Sequence, residues 1–159
     1  KNMHDKSLQK HANFYKVVHA LISKLEEKFG VCIVYDMHSY NWRRWTREVP
    51  TWNLGTSNID NNRFGNEAES WRRILGKMPL PKSIKSTSEI NDTFQGNGYF
   101  LKYITKNFNN TLVLATEIAK VYCDELAQIM FPEVVIAVEK YLKTELKKHS
   151  DTFYATHKS

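Results

Sequence analysis

The sequence predicts an α/β fold, a mostly parallel or mixed sheet flanked by helices, and three observations carry that prediction. The run Val31 to Tyr35 is unbroken and apolar, rich in β-branched and aromatic residues, and bounded by Gly30 and Asp36, which suits a strand buried on both faces at the centre of a sheet. Thr111 to Ala115, TLVLA, is a second run of the same kind. Helical periodicity precedes the first run and follows the second, as crossover helices do.

The elements follow in order. From Leu8 to Phe29, Tyr15, Val18, Leu21 with Ile22, Leu25 and Phe29 recur at spacings of three and four, a helix stopped by Gly30. A helix handing directly into a buried strand is half of a crossover unit. The strand it should follow is not in the sequence, so the chain reads as starting partway into a fold, incomplete at its N-terminus. After 31–35 come the polar, aromatic loop NWRRWTREVP and a short strand, Thr51 to Leu54. Asp60, Asn61 and Asn62 offer caps for a helix with the face Phe64, Ala68, Trp71, Leu75 and Met78, ended by MPLPK. A weaker strand is expected near Ser83 to Ile90, and Asn91 to Gly98, NDTFQGNG, is a turn-rich loop able to hold backbone close to a ligand. Beyond TLVLA, the stripe Ile118, Tyr122, Leu126 and Ile129 predicts a helix, and Pro132 opens a last helix carrying Val135, Val138, Leu142 and Leu146.

At 159 residues, 42% hydrophobic and 25% charged, the chain is one globular domain's worth. The net charge of +6 permits an acidic partner, but the basic residues are scattered among 17 acids, which argues against nucleic acid as the main ligand. Cys32 and Cys123 form no disulfide or zinc-knuckle pattern and read as buried thiols. No apolar run is long enough to span a bilayer and no leader opens the chain, so a reducing, cytoplasmic setting is expected.

In open α/β sheets the ligand crevice lies at the carboxyl ends of the strands. Asp36 and His38 follow the first strand and Glu117 the second, so an imidazole and carboxylates are expected to share one crevice. Zinc hydrolases use that combination: imidazole ligates Zn²⁺, and a carboxylate outside the metal shell moves the proton of the attacking water.

These residues carry a resemblance. Asp36-Met37-His38-Ser39-Tyr40 resembles the D-x-H-S-[MY] strand end of the N-formylglutamate amidohydrolase family, related to the zinc carboxypeptidases. Asn53 to Thr56 is similar to the family's apolar-Leu-Gly-Thr/Asp turn, Asn91 to Gly98 to its N-x-P-[YF]-x-G-G loop, and Leu114 to Glu125 to its segment bearing the catalytic glutamate. The resemblance implies a zinc exopeptidase-like α/β hydrolytic domain spanning 1–159, with His38 a zinc ligand, Glu117 the general base and Asp36 orienting His38. It implies hydrolysis of a C–N amide bond in a small N-formyl or N-acyl substrate bearing a carboxylate, which Arg43, Arg44 or Arg63 would hold, with Asn91 and Gly96 as further contacts.

The family's first two zinc ligands come from an early P-H-[SA]-G-type segment that Lys1 to Gly30 does not contain. The expectation is therefore a chain that does not hold zinc tightly and is inactive alone, its sheet covered by a second copy or a missing N-terminal segment. A non-catalytic binding or scaffold module of the same fold is the alternative. A nucleic-acid-binding domain centred on Trp42 to Arg47 is a third reading.

Overall fold

The computed structural model describes residues 2–158. Helix α1 (Met3–Phe29) ends at Gly30, whose φ of 78° lets its N–H reach back to the Glu26 carbonyl and turn the chain into strand β1 (Cys32–Tyr40). A single-turn 3-10 helix, Trp42–Arg44, leads to β2 (Trp52–Gly55). Helix α2 (Asn61–Gly76) starts on Asp60, whose carboxylate accepts from the N–H groups of Asn62 and Arg63. Strand β3 (Ser88–Ile90), helix α3 (Tyr99–Asn107), strand β4 (Thr111–Ala119), the short β5 (Cys123–Asp124) and β6 (Ile129–Met130), and helix α4 (Pro132–His157) complete the chain.

The main sheet has the order β1-β4-β2-β3. Strand β1 runs parallel to β4 and β2 parallel to β3, while β2 and β4 are antiparallel, so the sheet is mixed. The central strand is β4. Eight of its nine residues are buried, Leu112, Leu114 and Ile118 facing one way and Val113 and Ala115 the other. Strand β1, expected at the centre, lies instead at an edge, bonded to β4 alone among the described residues. Its apolar run reflects packing on both faces, which an edge strand between two helices also has.

The two faces have separate cores. Trp52, Leu54, Phe64, Trp71, Leu75, Leu112, Leu114 and Phe153 pack α2 and α4 onto one face; Ile22, Cys32, Leu101, Ile104, Phe108 and Val113 pack α1 and α3 onto the other. On the first face His149 of α4 is buried between the Tyr35 hydroxyl, at 2.6 Å from Nδ1, and the Glu67 carbonyl, at 3.1 Å from Nε2. Burial lowers its pKa, which keeps the ring neutral in the core. Burial likewise pushes the Cys32 thiol up to about 11, so it is inert at neutral pH.

Two expectations are corrected. Residues 118–131 form no helix: β4 runs on to Ala119, and the Asp124 carboxylate accepts from the N–H groups of Leu126 and Ala127, making a turn between β5 and β6. Cys123 therefore lies half-buried in a strand. Helix α3 is an element additional to those expected, its apolar residues Leu101 and Ile104, with the C-cap Phe108, standing three and four apart. No helix among the described residues is long and apolar enough to cross a membrane.

Candidate functional site

Alternation along β1 puts Cys32, Val34, Asp36 and His38 on the face covered by α1 and α3. On β4 the same face receives Val113, Ala115 and Glu117. The register pairs His38 directly with Glu117 and Asp36 with Ala115, and across the antiparallel junction Glu117 pairs with Asn53. One row therefore crosses three strands as His38, Glu117, Asn53. Asp36, His38 and Glu117 fall inside their strands rather than beyond them, Asp36 at the middle of β1 and the other two near the strand ends, since both strands are longer than their apolar runs.

Asn53 builds the opposite wall. Wholly buried, it accepts from the N–H groups of Asp92 and Thr93, each at 2.9 Å, and donates to the Phe94 carbonyl at 2.8 Å. Those three bonds pin the 91–98 loop over the sheet. Asn91 fastens its start, accepting from Thr56 N–H at 2.8 Å and donating to Thr56 Oγ1 at 2.9 Å. Gly96, at φ 77°, lies so close to Gly55 that a Cβ on Gly55 would stand 2.4 Å from the Gly96 nitrogen. Neither position has room for a side chain.

The result is a cleft of about 460 Å³ with Asp36, His38, Ala115 and Glu117 from the sheet, Gly55, residues 93–98 of the loop, and Leu101 of α3. His38 Nε2 donates to Asp36 Oδ1 at 2.9 Å, which fixes the imidazole. Burial raises the pKa of the Glu117 carboxyl; His38 opposes the shift and Asp36 adds to it. A carboxyl poised upward in a cleft can both give and take a proton. Helix α3 starts at Tyr99; its N-cap Gly98 lines the cleft and leaves the first-turn N–H groups without a side-chain cap.

A carboxyl whose folded pKa lies above its unfolded value contributes stability below the unfolded pKa and loses it as pH rises through the folded one. Glu117→Gln is therefore expected to resist urea better than the native chain at neutral pH, with the advantage disappearing in acid. A variant less stable than the native chain at neutral pH would show that the carboxylate is well solvated or paired.

The predicted substrate-holding residues lie elsewhere. Arg43 pairs with Asp124 at 3.1 Å and Arg44 with Glu125 at 3.8 Å. Arg63 donates to the Asn109 carbonyl at 2.6 Å and to Asn110 Oδ1 at 2.9 Å, at the amino end of β4, about 20 Å along the strand from Glu117. Gly96 does line the cleft, whereas Asn91 clamps the loop from behind. The Trp-Arg loop is internally engaged: Arg47 binds Asp92 at 2.8 Å, and Arg43 and Arg47 stack on Trp42 and Trp45. The 91–98 loop, expected to bring backbone close to a ligand, does line the cleft, whereas Asn53 and Leu101 are cleft builders that the sequence reading did not single out; a polar side chain inside the apolar WNLG strand is the available signal for Asn53.

A catalytic zinc needs three protein ligands with an open fourth position. Among the described residues no three His, Cys, Asp or Glu side chains converge in that way. His38 bonds Asp36 through Nε2, which leaves Nδ1 as its one free ring nitrogen and makes it a single ligand at most. The donors of the described residues do not make up a complete zinc shell. Comparison of the chain with protein-family models, with curated proteins and with solved structures returned no match.

Proposed function

We propose that the cleft binds a small acyl amide and carries the proton-transfer part of an amidohydrolase-type site, and that the chain alone acts as an amide-binding module without turnover. The observation that carries the reading is the His38–Glu117 register pair on two parallel strands, roofed by a loop that Asn53 and Gly55 hold in place. In this role Glu117 takes a proton from water attacking the amide carbon and returns it to the leaving nitrogen. Asp36 keeps His38 oriented beside it. The uncapped N–H groups of α3 suit the oxygen on which charge develops. The resemblance of the D-x-H-S-Y, turn, loop and glutamate segments to the N-formylglutamate amidohydrolase family supports the same reaction class. Further ligands, if the reaction uses a metal, would have to come from outside these residues, and the open edge of β1 beside His38 is where a second copy or another segment would add a strand.

Backbone-amide NMR of the chain titrated with N-formyl-norleucine amide tests the binding part. Shifts are expected to concentrate on Gly55, Gly96, Gly98 and Glu117; scattered shifts, or none, would remove its basis. Equilibrium dialysis against zinc is expected to leave well under one equivalent bound, and no formate released. One equivalent held at His38 with formate release would overturn the claim of incompleteness.

A further inference from the structure

We infer that the cleft selects an amide whose body carries a cationic nitrogen and no free carboxylate, an inference that rests on the amide-binding reading above and departs from the anionic substrate that the sequence suggested. No lysine or arginine is among the cleft's lining residues. Its charged groups are Asp36, Glu117 and the imidazole that Asp36 already engages.

The neighbouring guanidiniums are committed elsewhere. Arg47, the one nearest the loop, is held by the Asp92 carboxylate at 2.8 Å and also donates to the Asp92 and Glu48 carbonyls. Arg43 and Arg44 answer Asp124 and Glu125 across the β5 turn. Arg43 and Arg47 hydrogen-bond carboxylates outside the cleft, and none of the three arginines is among its lining residues. The α3 N-terminus offers roughly half a positive charge, which either carboxylate outweighs.

Aromatic side chains stand near the carboxylates. Phe94 lines the cleft, and Tyr99 follows Gly98, which lines it too. Tyr15 of α1 meets Tyr99 edge-on at 5.2 Å and stands close enough to Asp36 for that carboxylate to join burial and Tyr99 in raising its phenol pKa. An ammonium here gains from the carboxylate oxygens of Asp36 and Glu117. A carboxylate in the same place meets like charge.

The test uses the intact chain and three probes that differ only in charge: N-formyl-lysine amide, N-formyl-norleucine amide and N-formyl-norleucine with its free carboxylate. Dissociation constants come from the shifts of Gly96, Gly98 and Glu117. The lysine amide is expected to bind at least about tenfold more tightly than the free acid, a difference of ~1.4 kcal/mol, with the neutral amide between them. Asp36→Asn, at a partly exposed position, is expected to narrow that ratio without unfolding the chain. Equal affinities, tighter binding of the acid, or an unchanged ratio in Asp36→Asn would overturn the inference while leaving amide binding intact. Hexylamine, a cation with no amide, separates the two claims: if it binds as tightly as the lysine amide and neither norleucine probe shifts the cleft, the preference for a cation stands and the amidohydrolase reading falls. No shift with any probe overturns both.

Discussion

Gly55→Ala is expected to lower the stability of the chain by about 3 kcal/mol, the upper end of what overpacking costs, and to lower the thermal midpoint by about 6 to 12 °C. The added methyl would sit 2.4 Å from the Gly96 nitrogen, 2.5 Å from its Cα and 2.9 Å from the Gln95 carbonyl carbon. All three are backbone atoms, so no side chain can swing aside. The loop must lift, and lifting it stretches the bonds from Asn53 to residues 92–94. Gly96→Ala meets the same wall from the other side and adds the strain of a left-handed φ. Urea unfolding measures the loss, and amide NMR of the surviving fold should show the cleft residues displaced. A Gly55→Ala chain as stable as the native one would mean that the loop is not held against the sheet.

The second large effect belongs to the other face. Trp71 is wholly buried, its indole N–H donates to Thr116 Oγ1 at 3.1 Å, and its ring meets Tyr35 and His149 at 5.0 and 5.2 Å. Trp71→Ala removes the largest side chain joining α2 to β4 and is expected to cost about 4 kcal/mol. Trp71→Phe keeps most of the volume but loses the hydrogen bond, and about 1 to 2 kcal/mol is expected. Because Trp71 lies on the face opposite Glu117, Trp71→Phe should leave ligand shifts at Gly96 and Gly98 unchanged. Altered affinity in that variant would show that the two cores are coupled through β4.

Much of this arrangement was legible because it rests on local chemistry. Gly30 stops α1, Asp60 caps α2 and Pro132 opens α4, each where the residue type dictates. The pairing of an imidazole with Glu117 also followed from two similar strands ending in polar residues. Strand order did not follow, since an apolar run between two helices looks alike at a centre or an edge, and β1 proved to be the edge. The stripe from Ile118 to Ile129 has helical spacing, but the Asp124 side chain satisfies a turn and the β4–β1 ladder continues through Ala119, so long-range pairing prevailed. Arginine positions were the least legible, because which carboxylate a long side chain meets is decided by tertiary neighbours such as Asp124, Glu125 and Asp92.

The function proposed for the cleft rests on Glu117 as its proton-transfer group. Its most direct test is a ¹³C NMR pH titration of the Glu117 carboxyl, with and without N-formyl-norleucine amide. The account predicts a titration above the ordinary glutamate range in the free chain, raised there by burial and by Asp36, and a further displacement when the amide binds. An ordinary carboxylate titration that ignores the amide would contradict it.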